Sequence, residues 1–195
     1  MNFDANKSAN LPAWQIQSNH IYQQTPVFSV EERLVQQEKS FQEGTFYILH
    51  APAWLNIIAL TPENEIILVE QYRHGIEQFT LELPGGMSEP EEALVRSAQR
   101  ELLEETGFTA PHQNWEALGR VSFNPAIANN YTHTFLVRGC RKTGVQQLDE
   151  HEEIAVHTIP VQKFGKLIRN HTIHHALVVA AYARLVVHYP ELAGL

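Results

Sequence analysis

The chain has 195 residues, 44% of them hydrophobic, and a formal net charge of −8 at pH 7. That length suits one domain with a real core, and the acidic balance argues against nucleic-acid binding, which needs a basic footprint. The one cysteine, Cys140, excludes an intrachain disulfide and fits a reducing compartment, and no apolar run reaches the length needed to cross a membrane.

Residues 1–12 are polar and rich in Asn and Ala, and are expected to form a disordered tail. No basic segment followed by an apolar run marks a signal peptide there, so the cytoplasm is the expected location. Short strands are expected around His20–Tyr22, Val27–Glu32 and Thr45–Leu49, with Gly44 in a turn. Residues 13–50 thus read as a small β-meander appended to a main fold over 51–195, the whole of 13–195 being one domain. Trp54–Leu60 is an almost continuous apolar run, 61–64 reads as a turn, and Glu65–Tyr72 is a second strand. Two such runs around a short turn predict a hairpin buried on both faces. Phe79–Leu83 then leads into Gly85 and Gly86.

The stretch 88–107 predicts one helix. Ser88 and Glu91 have capping-box spacing, Pro90 suits a first turn, and Gly107 stands where a helix stop is expected. Glu101 and Glu105 are four apart and share a face with Glu104 beside them, while Leu94, Val95, Ala98 and Leu102 form an apolar stripe. Like charges at this spacing cost about 0.2–0.5 kcal/mol per pair even when exposed. A hard divalent cation would turn that repulsion into binding, since it takes oxygen ligands and shares them with phosphate. The Gly85-Gly86 turn can add a backbone carbonyl, and Arg100 can pair with Glu104. Further on, Trp115–Phe123, Tyr131–Arg138 and Ile154–Ile159 read as strands, with 124–130 a loop and 146–153 an acidic connection. Val161–Arg169 and Ile173–His188 read as helices, placed to bury the faces of a sheet.

Gly86, five residues, Glu92, seven residues and then Arg100-Glu101-Leu102-Leu103-Glu104-Glu105-Thr106-Gly107 resemble the Nudix box at every defining position. The resemblance implies an α/β/α sandwich around a mixed sheet (class α/β, or α+β), with the N-terminal strands as a small antiparallel extension. In relatives such an extension commonly makes a homodimer. It also implies hydrolysis of nucleoside diphosphates linked to another group, with Mg²⁺ or Mn²⁺. Gln71-Tyr72-Arg73 followed by Leu81-Glu82-Leu83-Pro84-Gly85-Gly86 resembles the branch that cleaves ADP-ribose and nucleoside diphosphate sugars. There the arginine matching Arg73 lies near substrate phosphate, a role that suits a permanently charged planar donor. Glu82 matches a position near the substrate, or serves as the carboxylate partner of Arg73.

The stretch 149–156 resembles the acidic loop of the same branch. By that match Glu152 joins Glu101, Glu105 and the Gly85 carbonyl as metal ligands, and Glu150 activates the attacking water. Glu153, Glu152 and Glu104 stay open as alternative bases. Asn124-Pro125-Ala126 departs from the Ser-Pro-Gly of many ADP-ribose hydrolases, which leaves the preferred nucleotide sugar open. Trp54, Phe28 and Tyr22 are candidates to stack on a base. His171, His174 and His175 have metal-like spacing but read as helix-start and surface residues. The expected activity is Mg²⁺-dependent cleavage of a nucleoside diphosphate sugar into a nucleoside monophosphate and a sugar phosphate. A non-catalytic nucleotide-sugar sensor and a hydrolase of modified nucleoside triphosphates are the alternatives.

Overall fold

Backbone pairing, rather than side-chain propensity, sets the length of the first strands. The computed structural model describes residues 11–194, so the expected tail lies outside the described residues up to position 10. One unit of the fold comprises 11–51 together with Asn124–Asn130. It holds an antiparallel sheet in the order β1 (Trp14–Gln24), β2 (Ser29–Gln37) and β3 (Glu43–His50). Polar stretches such as 15–19 and 36–37 carry little strand propensity, yet the ladder extends from Trp14 opposite Gln37 to Gln24 opposite Ser29, with register shifts between Ile16 and Ser18 and between Ile21 and Gln23. The segment 124–130 is fastened to β3, with the Leu49 N–H bonding the Ile127 carbonyl at 2.6 Å and the Asn129 N–H bonding the Leu49 carbonyl at 3.1 Å.

This unit buries a carboxylate. Glu31 on β2 is 4% exposed and accepts from Arg33 Nε at 2.7 Å and Nη2 at 3.0 Å, from Asn19 Nδ2 at 3.0 Å, and from His50. The Arg33 hydrogen bonds, aided by Asn19 and His50, outweigh burial and hold its pKa down at about 2. A depressed carboxylate stabilises the fold above the unfolded value, 4.5, and the benefit drains away as pH falls from there through about 2. Hydrogen-exchange protection of the β2 and β3 amides is therefore expected to drop across that window. In Glu31→Gln it is expected to start lower and stay flat.

The second unit comprises 52–123 and 131–194. Its strands are β4 (Trp54–Leu60), β5 (Glu65–Arg73), β6 (Gln78–Glu82), β7 (Phe108–Thr109), β8 (Trp115–Val121), β9 (Thr132–Arg138), β10 (Arg141–Lys142) and β11 (Ala155–Pro160). Its helices are α1 (Leu94–Thr106), α2 (Phe164–Arg169) and α3 (Ala176–His188). The main sheet runs β11-β5-β4-β9-β8, with β6 also paired to β5. Only β4 and β9 are parallel, so the sheet is mixed. Leu55, Ile57, Phe135 and Val137 pack with Ala98 and Leu102 of α1. Ile58, Leu60, Leu68 and Leu136 pack with Phe164 of α2 and Val178, Ala181 and Leu185 of α3. Burial on both faces explains why β4 and β5 are apolar runs instead of alternating ones. The result is the expected α/β/α sandwich.

Helix α1 starts later than its sequence suggests. Its N-cap is Ala93, with no side-chain cap, and the Ser88–Glu91 capping box does not form. The chain is held elsewhere at that point: the Ser88 N–H donates to the Ala53 carbonyl at 2.8 Å, Met87 bridges to Trp54, and Glu91 has φ +63°. The Ser97 hydroxyl reaches back to Glu92 at 2.6 Å. Gly107 ends the helix as expected, at φ +74° with its N–H on the Leu103 carbonyl. The last two helices also begin late, because Val161–Lys163 is a 3₁₀ turn and α3 starts at Ala176. Among the described residues no helix is long and apolar enough to cross a membrane.

Candidate active site

The glycine turn after β6 lies against the edge of β4. The Pro84 carbonyl accepts from the Ile57 N–H at 2.9 Å and the Gly86 carbonyl from the Leu55 N–H at 2.8 Å. Between them Gly85, at φ +156°, passes so close to β4 that a Cβ would stand 1.9 Å from the Leu55 carbonyl oxygen. No side chain can be placed there. Its N–H donates instead to Glu105 Oε2 at 2.8 Å. At Gly86 a Cβ would stand 2.6 Å from the Glu101 carboxylate. The turn therefore forms a floor beneath both acids of α1. Gly86→Ala displaces a flexible side-chain end rather than backbone. It is expected to leave the melting temperature nearly unchanged while lowering activity about tenfold or more by shifting Glu101; steady-state kinetics beside a thermal melt checks this.

Burial dominates the electrostatics of these acids. It pushes Glu105, 4% exposed, up to about 8, with the charges of Glu101 and Glu152 adding to the shift and the Gly85 N–H opposing it. Glu101 is likewise raised by burial to about 7, against the pull of Arg100 and with help from Glu104 and Glu152. Arg100 Nη1 donates to Glu104 Oε2 at 2.8 Å and Glu101 Oε1 at 3.0 Å, and its Nε lies 3.7 Å from Glu92. One guanidinium thus orients three acids of the motif.

Among the described residues no group of three or more His, Cys, Asp or Glu side chains is gathered into a metal cage. Glu152 and Glu150 lie in an exposed turn, where the Glu152 carboxylate accepts from the Asp149 N–H at 3.3 Å. Glu152 acts on Glu101 and Glu105 through its charge. The donor set nonetheless fits Mg²⁺, which binds through one or two carboxylates completed by substrate phosphate and water, not through an all-protein cage. A buried and a half-buried acid that hold protons near neutral pH offer a place where a cation can displace those protons.

A second cluster surrounds Glu82 on β6, which is 2% exposed. Arg73 Nε and Nη2 grip its two oxygens, each at 2.8 Å, and the Thr80 hydroxyl donates at 2.6 Å. His175 Nδ1 stands 3.1 Å from Glu82 Oε2, near enough for an ion pair though off the direction of a good hydrogen bond. Burial pushes the Glu82 pKa up, but the Arg73 hydrogen bonds, the nearby His175 and the Thr80 hydroxyl outweigh it and hold the group well below the usual carboxylate range. The Arg73 guanidinium lies 5.8 Å from the Trp54 ring centre and feels the charges of Glu105 and Glu152. Gly85, Glu101, Glu104 and Glu105 are thus joined directly or through Arg100, and Arg73, Glu82 and Trp54 form a neighbouring set. Phe28 belongs to the other unit and is 40% exposed there. Sequence reasoning missed Thr80, two positions from Glu82 on the same strand face. It read His175 as a helix-start residue, which it is, and as a surface one, with no periodic signal to place it against β6.

Four likenesses bear on this geometry. The family model of the NUDIX domain matches residues 50–182, a span holding both acid clusters. A methanol dehydrogenase activator of Bacillus methanolicus is 31% identical over 135 residues, 69% of this chain and 72% of that protein. An ADP-ribose pyrophosphatase of Bacillus subtilis (strain 168) is 30% identical over 130 residues, 66% and 69% of the two chains. A crystal structure of an ADP compounds hydrolase superposes with a TM-score of 0.82 over 96% of this chain and 100% of that one, at 19% identity, a likeness of fold.

Proposed function

The chain belongs to the Nudix family, and on that premise we propose that it hydrolyses the pyrophosphate bond of ADP-ribose or another nucleoside diphosphate sugar, with Mg²⁺ as its cation. The products are a nucleoside monophosphate and a sugar phosphate. The observation that carries this reading is the Glu101–Glu105 pair, respectively half-buried and buried over the Gly85-Gly86 floor and raised in pKa by desolvation. A relative named for ADP-ribose hydrolysis supports the substrate class.

Glu101, Glu105, Glu152 and the Gly85 carbonyl would hold the cation; Mn²⁺ is the substitute expected to work. When bound it supplies charge neutralisation at the diphosphate and acidifies a nearby water. Gly85 suits its part, because its carbonyl takes neither of the β4 bonds that occupy Pro84 and Gly86. Glu150 accepts the proton of the attacking water, with Glu104, steadied by Arg100, as the second candidate. Arg73 binds the diphosphate through Nη1, the nitrogen that its Glu82 pair does not use. Trp54 stacks on the base. The β1 edge, exposed along its whole length, suits pairing with a second copy in a homodimer. The cytoplasm is the proposed compartment.

Purified protein with Mg²⁺ and a panel of ADP-ribose, nucleotide sugars and nucleoside triphosphates tests this, read as phosphate released after phosphatase coupling. Turnover of a diphosphate compound above every triphosphate is expected. If no diphosphate compound is cleaved, the reading fails; tight binding without turnover points to a sensor instead.

A further inference from the structure

We propose that His175 is a positioning residue for Arg73: through Glu82, it fixes the guanidinium that receives the substrate diphosphate. The diphosphate part rests on the function proposed above; the positioning itself does not.

Arg73 leaves β5 with its side chain 32% exposed, so its reach toward a ligand depends on what ties its stem side. That tie is Glu82, whose side chain is 3% exposed and whose two oxygens must be matched by donors to stay charged out of water. Arg73 and Thr80 come from the β5–β6 hairpin itself. His175 is the partner from another layer, the N-cap residue of α3. Its Nδ1 is buried and has no hydrogen-bond partner of good geometry, and the group it faces at 3.1 Å is Glu82 Oε2. Facing a carboxylate favours the tautomer in which Nδ1 bears the hydrogen.

The start of α3 is itself pinned. The His175 carbonyl accepts the Val179 N–H at 3.1 Å. Two residues on, the Leu177 carbonyl accepts from Asn56 Nδ2 at 2.8 Å, and Asn56 is 2% exposed on β4. Helix and sheet are thereby locked where His175 meets Glu82. Without His175, Glu82 keeps donors only from its own hairpin and can rotate about its side-chain bonds, taking Arg73 with it. Neighbouring His174 is exposed and serves as the control.

Two readouts decide this, one of which needs no turnover. The first is the NMR signal of the Arg73 Nε–H, assigned by its loss in Arg73→Lys. The second is the affinity for ADP as a diphosphate probe, by calorimetry. In His175→Ala the Nε–H is expected to exchange about tenfold faster or broaden away, and ADP to bind about tenfold more weakly. His175→Asn, whose amide nitrogen can take the place of Nδ1, is expected to restore both, and His174→Ala to change neither. In an Arg73→Ala background His175→Ala is expected to cost no further affinity.

An unchanged Arg73 signal in His175→Ala overturns the proposal. So does an affinity loss of the same size with and without Arg73, which marks a merely structural histidine. Should His175→Ala fail to fold, His175→Gln, whose amide reaches beyond the Nδ1 position, is expected to loosen the Arg73 signal in its stead; a signal as sharp as wild type overturns the proposal. If the wild type cleaves no diphosphate compound, the functional reading fails alone, and the Arg73 signal still decides the role of His175.

Discussion

Glu105→Gln is expected to lower kcat/KM toward the preferred nucleoside diphosphate compound by about 10³-fold, or ~4 kcal/mol of barrier, with the protein still folded. The reason lies in what Glu105 is without a cation. Burial raises its pKa to about 8, so at neutral pH the metal-free carboxyl is largely protonated. Glutamine has the shape of that neutral acid, and its amide oxygen can accept the Gly85 N–H that Glu105 accepts at 2.8 Å. The side-chain shape is kept, and the melting temperature of the metal-free protein at neutral pH should not fall, because the amide has no proton to lose on unfolding. What the substitution removes is the ability to become an anion when a cation arrives. Glu104→Gln is the instructive contrast: its carboxylate is more exposed and held by Arg100, so its loss should cost less than that of Glu105. Full activity in Glu105→Gln would end the assignment of the Glu101–Glu105 pair as the cation site. Loss of folding would instead show that this carboxyl is a structural group.

Much of the fold was legible because burial on two faces leaves an unmistakable trace. Ile57, Ile58, Ile66 and Ile67 are all fully buried, and only a central strand with helices on either side tolerates four such residues around one short turn. The acid pair of α1 was legible for a different reason. Positions 101 and 105 share a helix face wherever the helix begins, so the late start at Leu94 did not disturb them. The misplaced start shows what local signals miss. Ser88 has a good capping side chain, but its backbone is already committed to Ala53 across the sheet, and tertiary pairing wins over a cap worth about 1 kcal/mol. The polar strands β1 and β2 were underestimated because their order comes from the ladder. The Glu31 cluster escaped notice for the same cause, since Asn19, Arg33 and His50 meet on one carboxylate only through the register of three strands. His175 was invisible in kind: a histidine before an apolar helix looks the same whether it faces water or a buried glutamate on a strand far back in the chain.

The second large effect concerns pH in the absence of metal. Glu101 and Glu105 ionise at about 7 and about 8 in the folded chain and near 4.5 once unfolded. Below 4.5 both states hold these protons and the acids cost the fold nothing. Between 4.5 and about 8 the folded state binds more protons than the unfolded one, so stability must fall as pH rises, and the loss is complete above about 8. Two groups with depressed values, Glu31 and Glu82, cannot mask this, because both are ionised in either state above 4.5. His133, lowered by burial and by the Arg120 charge, pulls the other way, but it is one half-buried imidazole against two carboxylates. In EDTA the melting temperature is therefore expected to decline from about pH 5 to about pH 9. Millimolar Mg²⁺ should remove most of the decline, because the cation takes the place of the protons and is bound best where none must be displaced. The gain on adding Mg²⁺ should thus be small at about pH 5 and several degrees at about pH 9. Glu105→Gln should flatten the EDTA profile and lose most of the gain. Equal stabilisation by Mg²⁺ at both ends of the range, with a flat profile in EDTA, would mean that the cation binds somewhere other than over the glycine floor.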